Sequence, residues 1–164
     1  MRAVLVPAVS TLIGFTCNAQ TYPTKPVRLV NAFAPGGASD VVARHFAQRL
    51  TESMGQQVTV ENRTGAGGNI AAEYVARAPA DGYTLLVGTF FLSTNPSLYR
   101  KLGYDVQKDF APISMLTAAP LILCVHPLVP VNTTAELIAL AKERPGAMYF
   151  PSAGNGTSMH LAGE

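Results

Sequence analysis

Two glycine-rich turns contain the residues of this sequence that are best suited to bind an anion. The first is Pro35-Gly36-Gly37-Ala38-Ser39-Asp40 and the second is Ser152-Ala153-Gly154-Asn155-Gly156-Thr157-Ser158. Each follows an apolar, strand-like segment and precedes a helical pattern, so unpaired N–H groups at the start of a helix collect beside the glycines. The helix dipole adds positive potential there, and glycine lets a ligand approach the backbone. We therefore predict that these backbone amides bind carboxylate groups.

The alternative for either motif is a tight turn without a ligand, which is the usual role of glycine between a strand and a helix. Two features favour a binding site. Ser39 and Asp40 form a natural N-cap pair that could orient a ligand, and the second turn repeats the arrangement of the first. If the two helix N-termini face each other, they could bind both ends of a small dicarboxylate.

Other kinds of site do not fit the spacing of the residues. The sequence contains no P-loop motif, and Gly65-Ala66-Gly67-Gly68-Asn69-Ile70 lacks the third glycine of a dinucleotide-binding fingerprint. The three histidines have no metal-ligand spacing, so we expect neither a cofactor nor a metal. His160, one helical turn after the second glycine turn, could contact a ligand or make a structural hydrogen bond. An exported hydrolase that uses Ser39 or Ser158 remains the alternative from a different class, although no Gly-x-Ser-x-Gly motif occurs.

Composition limits the possible partners of the chain. It has 164 residues, of which 48% are hydrophobic, and a formal net charge of only +2. It can therefore bury a core, while the absence of a basic cluster argues against nucleic acid as a partner. Residues 1–19 are typical of a signal peptide, because Arg2 precedes an apolar run and Cys17-Asn18-Ala19 fits a cleavage site. Export would leave Cys124 as the only thiol, and its apolar neighbours predict a buried, inert side chain.

The elements that position the first turn alternate between strand and helix. Apolar residues in the first predicted helix recur at a spacing of three and four, which is typical of an amphipathic helix. The order β-α-β-α-β predicts an α/β fold with a parallel sheet and right-handed crossovers. The predicted elements are a strand at Val27–Ala34, a helix at Ser39–Met54 ended by Gly55, a strand at Gln57–Glu61, a helix at Ile70–Ala78 and a strand at Tyr83–Gly88.

The second half of the chain has a different pattern. Two apolar strands that meet end to end predict a crossing between two lobes. We therefore assign residues 20–118 to a first lobe and residues 119–164 to the start of a second, incomplete lobe. The predicted elements are a single helical turn at Asn95-Pro96, strands at Ala111–Thr117 and Pro120–His126, a helix at Thr134–Glu143 with a capping box at Thr133 and Glu136, a short strand at Ala147–Pro151 and a helix from Ser158.

Several motifs in fixed order resemble the substrate-binding proteins of tripartite tricarboxylate transporters, the Bug family of periplasmic receptors. The resemblance covers nearly all of residues 22–164. Phe90-Phe91 makes the third loop bulkier than is usual in the family, and family members are considerably longer than this chain. The matching motifs are Tyr22-Pro23-x-Lys25-Pro26-Val27-Arg28, Phe33-Ala34-Pro35-Gly36-Gly37-x-Ser39-Asp40, Val60-Glu61-Asn62-Arg63-x-Gly65-Ala66-Gly67-Gly68-Asn69, Ala80-Asp81-Gly82-Tyr83-Thr84-Leu85-Leu86, Asp109-Phe110-Ala111-Pro112-Ile113 and Ser152-Ala153-Gly154-Asn155-Gly156-Thr157-x-x-His160-Leu161-x-Gly163-Glu164.

The resemblance implies an α/β fold similar to that of type II periplasmic binding proteins, with two lobes, mainly parallel sheets and a hinge crossing. It also implies a receptor without catalytic activity, which captures a dicarboxylate, a tricarboxylate or an acidic amino acid and delivers it to a membrane permease. A non-functional truncated fragment remains the alternative, because the second lobe is incomplete. Carried over to this sequence, the implied ligand-binding residues are Phe33, Ala34, Gly36, Gly37, Ala38, Ser39 and Asp40 in the first lobe, Thr89 and Asn95 after the third strand, and Ala153, Gly154, Asn155, Gly156 and Thr157 in the second lobe.

Overall fold

The computed structural model describes residues 21–164 and contains a three-stranded parallel sheet, in which strand Val27–Asn31 (β1) lies between Val58–Asn62 (β2) and Thr84–Val87 (β3). The parallel sheet predicted from the β-α-β-α-β order is therefore confirmed, with element ends that differ by a few residues. The predicted signal peptide, residues 1–19, lies outside the described residues. The elements of this part are β1 at Val27–Asn31, α1 at Ala38–Met54, β2 at Val58–Asn62, a 3₁₀ turn at Ala66–Gly68, α2 at Asn69–Ala76 and β3 at Thr84–Val87.

Helix α1 covers one face of the sheet. Its buried residues Ala43 and Ala47 pack with Val27 and Leu29 of the central strand β1 and with Val58 of β2. These small side chains let the helix approach the sheet closely. As the sequence predicts, Gly55 ends the helix in the left-handed conformation, with φ of 67°, and its amide donates to the carbonyl of Thr51.

The opposite face of the sheet is covered by α2 and by a further helix, α3 at Phe91–Leu98. Phe91 is fully buried, and a Cβ added at Gly68 would lie 2.8 Å from its ring, so only glycine leaves room for this contact. The prediction of a single turn starting at Asn95-Pro96 was wrong, because α3 begins four residues earlier. Proline favours the first turn of a helix, so Pro96 placed the predicted start too late. The packing of Phe91 against Gly68 places the start earlier.

Two helices of the second half match their predictions. Helix α4 spans Thr134–Glu143, and α5 spans Ser158–Gly163. The Thr133 hydroxyl accepts a hydrogen bond from the Glu136 amide at 3.2 Å, and the Glu136 carboxylate accepts one from the Asn132 amide at 2.6 Å. The capping box is confirmed, except that the Glu136 carboxylate binds the amide of Asn132, one residue before the N-cap amide of the usual motif.

The three strands predicted in the second half are not formed in residues 21–164. Segments 111–117, 120–126 and 147–151 carry no strand, and their side chains are exposed. A strand needs a hydrogen-bonded neighbour, and no other described segment pairs with them. The same exposure makes the prediction of a buried Cys124 wrong, since its free thiol lies at the surface.

The helices of the described part are amphipathic or short. Among residues 21–164, no helix combines the length and the hydropathy that a membrane span requires.

The adjacent residues Phe90 and Phe91 provide a matched test of the core. We expect Phe91→Ala to lower the free energy of unfolding by about 3–5 kcal/mol, because it leaves a cavity against the sheet. Phe90 is 50% exposed, so Phe90→Ala should change the stability by less than about 0.5 kcal/mol. Urea denaturation followed by circular dichroism measures both values. Equal losses in the two variants would contradict the burial of Phe91.

Candidate functional site

The first glycine turn leaves the carboxyl end of the central strand β1 and leads into α1. Its residues Ala34–Ala38 are all exposed. The N-cap of the helix is Gly37, and the amides of Ala38 and Ser39 make no hydrogen bond within the described residues. These two N–H groups stand where the helix dipole is positive, so they can bind an anionic oxygen.

Asp40 lies beneath this turn and is buried. One carboxylate oxygen accepts hydrogen bonds from the Gly36 amide at 2.9 Å and from Arg44 Nε at 2.8 Å. The other oxygen accepts from Asn62 Nδ2 at 2.8 Å. The prediction that Ser39 and Asp40 form an N-cap pair was wrong, because both lie inside the helix and the cap makes no side-chain hydrogen bond.

The hydrogen bonds to Asp40 stabilise its charged form. Arg44 has the largest effect, followed by the Gly36 amide and Asn62, and together they lower the pKa of the Asp40 carboxyl from 3.8 to about 2. Asp40 is therefore ionised at every physiological pH. Its charge is an integral part of the first turn.

Asn62 connects the end of β2 to the same turn. Its Nδ2 group donates both to Asp40 and to the Phe33 carbonyl, the latter at 2.9 Å, while Arg44 donates to its Oδ1 at 3.1 Å. The spacing of Asp40 and Arg44 on one helix could have indicated the ion pair. Only the strand register, in which Asn31 pairs with Asn62, reveals the part played by Asn62.

The second glycine turn packs against α3 and the 3₁₀ turn. Thr94 Oγ1 donates to the Gly156 carbonyl at 2.7 Å. A Cβ at Gly156 would lie 2.6 Å from Leu98, and one at Gly67 would lie 2.9 Å from the Asn155 carbonyl oxygen. The backbones of these glycine segments therefore approach each other more closely than a larger residue allows.

Asn95 supports this contact from inside the fold. It is fully buried, and its Nδ2 donates to the Gly67 carbonyl at 3.1 Å and to Asn69 Oδ1 at 2.7 Å. Its own Oδ1 has no hydrogen-bond partner among residues 21–164, and a Cβ added at Gly156 would lie 3.0 Å from it. Asn95 thus binds the 3₁₀ turn at Gly67, on which Asn155 of the second turn packs, and Thr89, which is half-buried, precedes the same helix.

Thr157 and His160 organise the start of α5. Thr157 is the N-cap: its hydroxyl donates to the Gly154 carbonyl at 2.8 Å and accepts from the His160 amide at 3.4 Å. The His160 ring is half-buried, and its Nε2 lies 3.7 Å from a Glu164 carboxylate oxygen. Its buried Nδ1 has no hydrogen-bond partner in the part of the chain that the structure describes. The remaining residues of this turn, Ala153 and Asn155, are exposed.

Helix α3 is the element that contacts the surroundings of both turns. Its buried Phe91 ring meets the half-buried Phe33 ring edge-on at a centroid distance of 6.0 Å, directly before the first turn. Three residues further along α3, Thr94 donates a hydrogen bond to the Gly156 carbonyl of the second turn. The resemblance implied a bulkier third loop because of Phe90-Phe91. Only the Phe90 ring is exposed there, since Phe91 is buried in the core.

Residues 21–164 contain no group of three or more metal-ligating side chains. His45 packs against the Phe46 ring, and His126 accepts a hydrogen bond from the Leu128 amide. His160 lies near Phe150 and Glu164, so none of these contacts involves a serine. The alternative of a serine hydrolase based on Ser39 or Ser158 therefore gains no serine–histidine pair.

A separate groove of about 440 Å³ lies beside α2 and includes none of the predicted site residues. Its cations are largely paired: Arg63 contacts Glu61 and stacks on the Tyr74 ring at 3.5 Å, and Arg77 pairs with Glu73. This groove is open and lies apart from the glycine turns, so we place the candidate site at the turns.

The depressed pKa of Asp40 predicts how stability depends on pH. Because its pKa is lower in the folded protein than in the unfolded chain, the charged carboxylate stabilises the fold above about pH 4. This contribution disappears as the pH falls through about 2. We expect Asp40→Asn to be less stable than the wild type at pH 7 and the difference to shrink between about pH 4 and about pH 2.

Urea denaturation at a series of pH values measures this difference. Glu52→Gln is the control, because Glu52 is an exposed carboxylate on the same helix. It should leave the stability at pH 7 nearly unchanged. A difference between wild type and Asp40→Asn that is independent of pH would contradict the charged network.

Comparison with known proteins supports a single family. The family model described as "Tripartite tricarboxylate transporter family receptor" matches residues 42–164. Protein BugT of Bordetella pertussis is 40% identical over 154 residues, which are 93% of this chain and 47% of BugT. The chain spans about half the length of the curated relatives it matches.

Solved structures agree with this assignment. The structure described as R. palustris Rpa4515 with adipate is similar with a TM-score of 0.81 and 42% identity, over 87% of this chain and 48% of that protein. Periplasmic binding protein BugD is similar with a TM-score of 0.71 and 35% identity, again over 87% of this chain and 48% of that protein. The predicted periplasmic binding protein fold is thus confirmed, with about half of such a receptor present, and the chain belongs to the family of tripartite tricarboxylate transporter receptors.

Proposed function

We propose that this chain is a solute-binding receptor that captures a small carboxylate-bearing metabolite between two glycine-rich helix N-termini. The first turn contributes Phe33, Ala34 and the segment Gly36–Asp40. The second contributes the segment Ala153–Thr157 together with His160, while Asn95 belongs to α3 and Thr89 lies just before that helix. The single observation that carries the proposal is the exposed first turn, in which two amides at the start of α1 have no hydrogen-bond partner within residues 21–164.

Carboxylate binding by such a turn relies on charge-assisted hydrogen bonds. Amides that are already oriented by a helix need no rearrangement when an anion arrives, so less free energy is lost on binding. The related Rpa4515 structure, at 42% identity, is described with adipate, which is a dicarboxylate. This supports a dicarboxylate as the ligand class of the present chain, with a tricarboxylate or an acidic amino acid as the other members of the class.

The proposed place of action is the periplasm, and the proposed partner is the membrane permease of a tripartite tricarboxylate-type transporter. The family description and the periplasmic binding protein BugD support both parts of this proposal. Residues 1–19 would then serve as the signal peptide. A receptor that hands over its ligand unchanged needs no catalytic group, so the proposed activity is binding and release.

Calorimetric titration of this chain with adipate, citrate and glutamate tests the proposal. We expect heat of binding with at least one of these acids and none with the uncharged diamide of adipic acid, because the amides of the turn require an anionic acceptor. A chain that is folded by circular dichroism but gives no heat with any acid would contradict the proposed function.

Ala38→Pro removes the N–H group of Ala38, one of the two without a partner within residues 21–164. The only side-chain group that it replaces is a methyl. Proline is well tolerated at the first position of a helix, and Gly37 already has the extended conformation that proline requires of its predecessor, with ψ of 166°. Loss of one hydrogen bond to a charged group costs about 1.5–3 kcal/mol. We therefore expect the affinity for the best acid to fall by roughly tenfold or more.

Thr134→Pro is the matched control for this variant. It introduces proline at the first position of α4, after Thr133, whose backbone is also extended, with ψ of 157°. We expect the control to bind the acid as the wild type does. Equal affinity of Ala38→Pro and Thr134→Pro would show that the Ala38 amide does not hold the ligand.

A further inference from the structure

The first turn contains a negative charge in the place where an anion is proposed to bind. The Asp40 carboxylate accepts the hydrogen bond of the Gly36 amide. Gly36 is only two residues before Ala38, whose amide has no partner within residues 21–164. A ligand carboxylate at Ala38 and Ser39 would therefore share one helical turn with a buried carboxylate. Like charges at such short range repel each other strongly when they are shielded from water.

Arg44 is placed to cancel this charge. It lies one turn further along α1, and its Nε donates to the same Asp40 oxygen that accepts from Gly36. Its side chain is 54% exposed, whereas that of Asp40 is 3% exposed, so the cation shields the buried carboxylate from the outer side of the helix. A second guanidinium nitrogen donates to Asn62, which fixes the orientation of the arginine.

Asn62 completes the arrangement from β2. Its amide group binds the second Asp40 oxygen and the Phe33 carbonyl, and its own carbonyl accepts from Arg44. Within residues 21–164 the carboxylate accepts hydrogen bonds from Gly36, Arg44 and Asn62, and none of these donors is the amide of Ala38 or Ser39. The amides of Ala38 and Ser39, which have no partner in the described part of the chain, remain available.

We propose that Arg44 is a positioning residue that neutralises Asp40, so that the first glycine turn can accept the carboxylate of a ligand. This inference rests on the proposed function of the turn. Asp40 holds the loop through Gly36, and Arg44 removes the electrostatic penalty of having Asp40 there. Arg44 itself does not contact the ligand.

The test is a set of variants of the full chain titrated with the acid that binds the wild type best, beginning with adipate. We expect Arg44→Met to lower the affinity at least about tenfold, because it leaves the Asp40 charge uncompensated. Asp40→Asn combined with Arg44→Met should recover most of the loss, since it removes the repulsive charge. Arg44→Lys, which keeps the positive charge, should lie closer to the wild type.

Arg49→Met is the matched control. Arg49 lies on the same helix and pairs with Glu52 at 3.5 Å, but both side chains are exposed and neither contacts the turn. It causes the same change in net charge as Arg44→Met, and we expect it to leave the affinity within about twofold of the wild type.

The outcomes separate this inference from the function on which it rests. If the wild type binds none of the acids, the proposed function fails and the inference fails with it. If the wild type binds adipate and Arg44→Met binds it equally well, only the role of Arg44 is refuted. If the double variant is as weak as Arg44→Met, the arginine has a purely structural role, which also overturns the inference.

Discussion

The buried carboxylate of Asp40 joins three parts of the fold at one point. It bonds to the Gly36 amide in the loop, to Arg44 on the same helix and to Asn62 at the end of β2. A buried charge is costly unless it is paired and hydrogen-bonded, so the loop, the helix and the strand must keep this arrangement together. The shape of the glycine turn and the exposure of its free amides follow from this constraint.

The second half of the chain depends on close backbone contacts in a similar way. Gly67 and Gly68 in the 3₁₀ turn and Gly156 in the second turn all lie where a Cβ would collide with a neighbour. They let α3 lie between the two glycine turns, with Phe91 near the first and Thr94 near the second. Residues 111–151 otherwise bury little, and α4 has no buried residue. Much of the apolar surface in residues 111–151 is consequently exposed.

The accuracy of prediction follows the range of the interactions involved. Helix α1 with its Gly55 end and helix α4 with its capping box depend on residues a few positions apart, and both were predicted correctly. The start of α3 was missed because it depends on Phe91 packing against the distant Gly68. The strands predicted at 111–126 were not formed, because hydrophobicity identifies a segment that can be a strand but does not supply its neighbour.

The same division applies to the candidate site. The amino-acid sequence alone determined the two glycine turns, the parallel α/β order and the family resemblance, since each is written in adjacent residues and their spacing. Only the tertiary structure decided that Asp40 binds Gly36 instead of capping the helix, that Asn62 reaches it from β2 and that the buried Asn95 binds the Gly67 carbonyl of the 3₁₀ turn. Those contacts join residues that are distant in sequence or that have several possible partners, and packing selects one of them.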